Sequence, residues 1–141
     1  MLFDDKAIYV GFRCWEPDMG NLRETLTHRD TQIWADDAVE VVIDTYHDRR
    51  NAYILGVNTL GTQMDQRVSN ESAFTFAWDA SWQARVQKYD DWTVEFAFPL
   101  TEFQFDSDGT TWGINFWRAH PIDWRFCRCG WCTLAWQCRT H

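Results

Sequence analysis

The feature that most constrains this chain is an apolar alternation of period two, repeated in short segments. In 92–98, Trp92, Val94, Phe96 and Phe98 oppose Thr93, Glu95 and Ala97. In 38–44, Val39, Val41 and Ile43 alternate with Ala38, Glu40, Val42 and Asp44, and the rhythm recurs in 8–12, 53–57, 82–86 and 112–118. Successive side chains of a strand point to opposite faces, so each segment buries one face. The β-branched and aromatic content fits such a surface. Turn-forming clusters at 16–21, 47–51, 90–91 and 106–109 separate the segments. Only 22–33 has room for a helical turn or two. Six or more short strands so joined predict one all-β domain, an antiparallel sandwich or barrel, over 1–125. From Phe126 the pattern dissolves, and 126–141 is read as an irregular Cys-rich tail.

Charge and chain composition narrow the function. With 13 Lys+Arg against 21 Asp+Glu, the net charge is −8 over 141 residues. Nucleic-acid phosphates would be repelled over most of such a surface, so no nucleic-acid partner is expected. No apolar run approaches the ~20 residues that span a bilayer, so no membrane insertion of this segment is expected. Met1–Lys6 carries acids and no apolar core, so these residues are not expected to act as a secretory signal.

Ten tryptophans need an explanation. Trp82, Trp92 and Trp112 fall on apolar strand faces and are expected in the core. Trp34 differs: it follows Thr31-Gln32 and precedes Asp36-Asp37 in a loop entering a strand. An indole in that setting can stack on the C–H face of a pyranose while carboxylates accept its hydroxyl protons. Trp117, Trp124 and Trp131 also lie off the main apolar faces.

The acidic residues divide in a similar way. Asp36, Asp48, Asp90 and Asp91 are read as a solvated rim. Glu40 interrupts an otherwise apolar strand, where a carboxylate needs a partner or a ligand. Glu40 and Asp44 share a face about 13 Å apart at ~3.3 Å per residue. A glycosidase pair stands roughly 5–10 Å apart, so no catalytic pair is expected and the chain is not read as an enzyme. No nucleophile elbow or glycine-rich phosphate loop occurs. Cys127, Cys129, Cys132 and Cys138 supply four thiolates, enough for zinc, but within one short run rather than two separated knuckles. Free or irregularly paired cysteines are the plainer reading.

The ordered string is more specific than any single part. Arg29-Asp30, Trp34, Asp36-Asp37, Val39-Glu40-Val41 and Asp44-Thr45 are followed by 48–53, Val57-Asn58 and Gly61. Trp78-Asp79, Trp82, Trp92-Thr93, Glu95, Pro99, Trp112–Phe116 and Arg118 complete it. Over about 5–121 this resembles carbohydrate-binding module family 9, in the form found before the barrel of bacterial outer-membrane proteins. The resemblance implies a DOMON-like β-sandwich that is non-catalytic and binds an oligo- or polysaccharide. It implies that Trp34 stacks on the sugar, with Asp37 and Glu40 as the acidic residues of the same strand. The family's second tryptophan matches Trp131 by position, with Trp124 next. The family's basic residue on the neighbouring strand falls near Gly56, so that partner is missing. Calcium is implied as a bound ion, without assigned ligands. A periplasmic, outer-membrane-associated or secreted location, within a longer chain, is also implied. Against the family pattern, the chain starts almost on the strand at 6–14 and ends in the cysteine cluster. A sandwich truncated at its N-terminus, with a frame change near Phe126, would account for both. Two alternatives remain: a structural or partner-recognition domain that binds no sugar, and a haem-binding DOMON-like domain.

Overall fold

The computed structural model describes residues 1–106, 108–109 and 111–121 and the backbone of 127–135. Its strands are β1 (Leu2–Phe3), β2 (Ala7–Cys14), β3 (Ala38–Asp44), β4 (Ala52–Asn58), β5 (Gln63–Ser69), β6 (Ala73–Thr75), β7 (Gln83–Lys88), β8 (Trp92–Pro99), β9 (Thr111–Ala119) and β10 (Cys127–Ala135). All pair antiparallel, in a four-stranded sheet of order β1-β2-β8-β7 and a six-stranded sheet of order β10-β9-β3-β4-β5-β6. The expected β-sandwich is the observed fold. The stretch 22–33 contains no α-helix; a short 3₁₀ turn at Met19–Asn21 precedes it and another, Ile33–Ala35, begins at its last residue.

The period-two segments bury their apolar faces between the sheets, as expected. Val39, Val41 and Ile43 of β3 and Leu55 and Val57 of β4 meet Val10 of β2 and Val94, Phe96 and Phe98 of β8. Trp82, Trp92 and Trp112 are all buried in this core. Phe96 and Phe98 pack on Trp82 at ring-centroid separations of 5.8 and 5.6 Å. Such aromatic pairs contribute about 0.5–1.5 kcal/mol beyond the area they bury.

Four strands, β1, β5, β6 and β10, escaped the periodicity reading, β5 because its inward positions are polar. Asp65, paired across from Leu55, is fully buried and bonds the Arg29 guanidinium at 2.5 Å and the Ala80 amide at 2.7 Å. Burial pushes the Asp65 carboxyl upward, while the Ala80 amide and Arg29 oppose that shift.

The reading of the acidic rim needs two corrections. Asp36 is fully buried and Asp91 is buried against the Arg13 side chain. A buried carboxylate is tolerated where donors meet it: four converge on Asp36, and the Arg13 guanidinium meets Asp91. Asp48 and Asp90 are exposed, as expected. Within the stretch read as an irregular tail, the backbone of Cys127–Ala135 pairs with β9, with a register shift between Cys129 and Cys132. The cysteine side chains there, and Cys138, lie outside the described residues.

Candidate functional site

The six-stranded sheet has a second apolar face, turned away from the core. Even-numbered residues of β3 point there, and Ala38 and Val42 join Ile54, Met64, Val68 and Ala119 in a separate cluster capped by Ile33. Strand register places Trp117 of β9, Glu40 of β3, Gly56 of β4 and Met64 of β5 in one row across this face. Above it lies an open cleft of about 500 Å³. Gln32 and Trp34 reach it from the loop before β3, Phe74 and Phe76 from β6 and its end. Glu40, Ile54, Gln66, Trp117 and Ala119 line it from the sheet. Four aromatic rings and three polar side chains suit a small, mostly apolar ligand surface with a few fixed polar groups.

The loop that carries Trp34 is held by buried acids. Asp36 accepts from the Thr25 amide (2.8 Å), Thr25 Oγ1 (2.7 Å), the Leu26 amide (2.7 Å) and Asn58 Nδ2 (3.1 Å). Burial alone would raise the Asp36 carboxyl; those hydrogen bonds outweigh it and hold it below its usual range. Asn58 also donates to the Leu26 carbonyl at 2.8 Å, so the loop is pinned to the end of β4. The 3₁₀ turn Ile33–Ala35 then presents Trp34, half-buried, at the cleft.

Glu40 is the unusual group. It is 7% exposed, and its Oε1 is buried without a hydrogen bond. Burial pushes its carboxyl up to about 7. The missing basic partner has a structural reason. A Cβ added to Gly56 would lie 2.6 Å from Ile33 Cδ1, 2.9 Å from Glu40 Cγ and 3.3 Å from the Val39 carbonyl oxygen. Ile33 occupies the space over Gly56, so a larger side chain beside Glu40 would have to displace it. Gly56→Ala is expected to displace both neighbours and cost about 1–3 kcal/mol. A thermal melt checks this; an unchanged midpoint would refute the tight approach.

Asp37 does not join Trp34 and Glu40 in the cleft lining. It is fully buried, with Oδ2 taking the Arg23 amide at 2.8 Å and Oδ1 lying 3.8 Å from His120 Nδ1. His120 Nε2 faces Glu16 at 3.2 Å, and Arg118 Nη2 lies 2.9 Å from the same Glu16 oxygen. Burial pushes the Asp37 carboxyl up, against the Arg23 amide and His120. Trp124 lies outside the described residues, as does the Trp131 side chain. Phe74 and Phe76 were not legible: 70–77 has no periodicity, and only the pairing of β6 with β5 brings them to this face.

Calcium does not fit the acidic clusters among the described residues. Glu16, Asp37 and His120 offer two carboxylates and an imidazole, with Arg118 already on Glu16. Asp30, Asp65 and Asp79 surround the Arg29 guanidinium, which supplies their positive charge. A hard cation takes six to eight oxygen ligands, which neither group provides.

Residues 1–122 match the family model described as carbohydrate family 9 binding domain-like. No curated protein matches the chain. Among solved structures, a Bacteroides uniformis protein is similar at TM-score 0.63 and 16% identity, over 80% of this chain and 58% of that one. A carbohydrate binding module family 9 from Caldicellulosiruptor kristjanssonii in complex with glucose is similar at TM-score 0.56 and 19% identity, over 82% and 55%. The cellotriose complex of a family 9 module from the same organism gives TM-score 0.57 and 19% identity, over 90% and 60%. The chain thus spans between half and two thirds of each structure it matches. With the family model covering most of its length, the chain belongs to the carbohydrate family 9 binding domain-like family.

Proposed function

We propose that the chain is a non-catalytic saccharide-binding module whose ligand lies in the cleft of the six-stranded sheet. Trp34 stacks on a sugar ring, and Glu40 accepts a hydroxyl proton. One observation carries this reading: a half-exposed indole and a buried carboxylate oxygen without a hydrogen bond line the same aromatic cleft. The family and its glucose- and cellotriose-bound members support it. Glu40 is the one carboxylate among the described lining residues, which favours binding over a two-carboxylate hydrolysis. Asp37 is assigned to holding the Arg23 segment rather than to the ligand.

The open cleft at Trp34 disfavours the sugar-free alternative, in which packed side chains would fill that space. The haem alternative finds no His or Met among the described lining residues.

Calorimetric titration with cello-, xylo- and manno-oligosaccharides tests the proposal. Binding of at least one is expected, weakened about tenfold in Trp34→Ala by loss of stacking worth ~1.4 kcal/mol. No binding to any of the three, or equal binding by the variant, would overturn it.

A further inference from the structure

We propose that the cleft selects a cationic amino sugar, a hexosamine unit with a free amine, over a neutral hexose. The inference rests on the saccharide reading above and concerns which saccharide fills that site.

The argument begins with how this protein treats its other buried carboxylates. Asp36 collects four donors, Asp65 has Arg29 and the Ala80 amide, and Asp44 takes the amides of Tyr46, Asp48 and Arg49. Glu16 has Arg118. Even Asp37 has the Arg23 amide on one oxygen. Glu40 differs in that it lines an open cleft and, among the described residues, no hydrogen bond or ion pair to it is found. Its neighbours in the row are Gly56 and Trp117, with Met64 beyond Gly56, Ile33 above it, and, two strands from Glu40, Arg128 of β10 in register with Trp117. Apart from Arg128, beyond Trp117, none of these carries a titratable group, and neither do Gln32, Trp34, Gln66, Phe74 or Phe76 around the cleft. The described lining residues thus present one carboxyl group and no basic one.

A hydroxyl can donate one hydrogen bond to that carboxylate but leaves its charge uncompensated at a desolvated position. An ammonium group supplies the hydrogen bond and the charge together, and charge-assisted bonds are roughly twice as strong as neutral ones. The surrounding rings add to the preference. Indole and phenyl faces attract a nearby cation through their quadrupoles, and an aromatic enclosure with one acid is a general solution for ammonium ligands. The four rings Trp34, Phe74, Phe76 and Trp117 also leave apolar surface for the C–H faces of the sugar.

Calorimetry on the intact chain at neutral pH compares three trisaccharides: cellotriose, the β-1,4-glucosamine trimer and its N-acetylated form. The free-amine trimer is expected to bind about tenfold more tightly than cellotriose, and the N-acetylated one no better than cellotriose. In Glu40→Gln the ratio of free-amine to cellotriose affinity should fall to about one, although cellotriose itself also binds more weakly for want of the carboxylate acceptor. Circular dichroism confirms that this variant is folded. If cellotriose binds and the amine gives no advantage, the selectivity is wrong and the saccharide reading stands. If the N-acetylated trimer binds as well as the free amine, size rather than charge is being read and the proposal fails. If no trimer binds, the saccharide reading itself falls and this inference with it.

Discussion

Replacing Asp36 with alanine is expected to lower the unfolding free energy by about 3–5 kcal/mol, because several buried or part-buried donors lose their acceptor together. The Thr25 and Leu26 amides, Thr25 Oγ1 and Asn58 Nδ2 all converge on this one carboxylate. Asn58 and Thr62 keep the Leu26 carbonyl and Asp37 keeps the Arg23 amide, so the loop stays tethered, but the Thr25 and Leu26 amides lose their acceptor. Urea titration at neutral pH should show a lower midpoint with an unchanged slope, the signature of lost stability rather than an altered unfolded state. Asp36→Asn keeps the volume and one acceptor oxygen, and should cost roughly half as much. The pH dependence has a definite sign. The folded carboxyl lies below its usual value, so its contribution is complete above about pH 4 and fades in acid as pH falls through the folded value. The difference between wild type and Asp36→Ala should therefore be full at pH 6–8 and shrink below about pH 4. Equal midpoints at pH 7 would show that the carboxylate does not hold the loop. Because the same loop ends in the turn that presents Trp34, saccharide affinity should fall in this variant although Asp36 touches no ligand.

Sequence alone exposed the sandwich where one strand face was uniformly apolar. Trp92, Val94, Phe96 and Phe98 announce β8 because every inward position meets the core. The same rule hid β5, whose inward Asp65 is buried against Arg29, a residue 36 positions earlier in the chain. Periodicity cannot register a core position that is satisfied by a distant charge. At the site, Trp34 was legible as an indole isolated beside acids, and Glu40 as a carboxylate in an apolar strand. Asp36 and Asp37 were not separable, because the fate of each depends on which loop amides reach it: Thr25 and Leu26 for one, Arg23 for the other. Gly56 read as a missing basic residue; only the three-dimensional approach of Ile33 shows why nothing larger stands there.

Glu40→Gln should stabilise the ligand-free protein by about 3 kcal/mol at pH 8 and leave it nearly unchanged near pH 4.5. Burial pushes the folded carboxyl from the ordinary 4.5 to about 7. Between those values the native state binds more protons than the unfolded chain, so stability falls as pH rises through the window. At ~1.4 kcal/mol per pH unit over the shift, the ionised form weighs against folding by about 3 kcal/mol above pH 7. Glutamine has nearly the same shape and no charge, so the variant escapes that penalty. Asp37 and Asp65, also raised, and Asp36 and Asp48, lowered, titrate in both proteins, so the difference between them isolates Glu40. Chemical denaturation of both proteins at pH 5 and pH 8 measures it. A variant less stable than wild type at pH 8 would mean that the carboxylate has a stabilising partner, and the case for a cationic ligand would lose its basis. The expected result carries the opposite implication. An amide would serve the free fold better, so the proposed cationic sugar supplies a reason for a glutamate at this position: a positively charged ligand against Trp34 and Trp117 would match its charge.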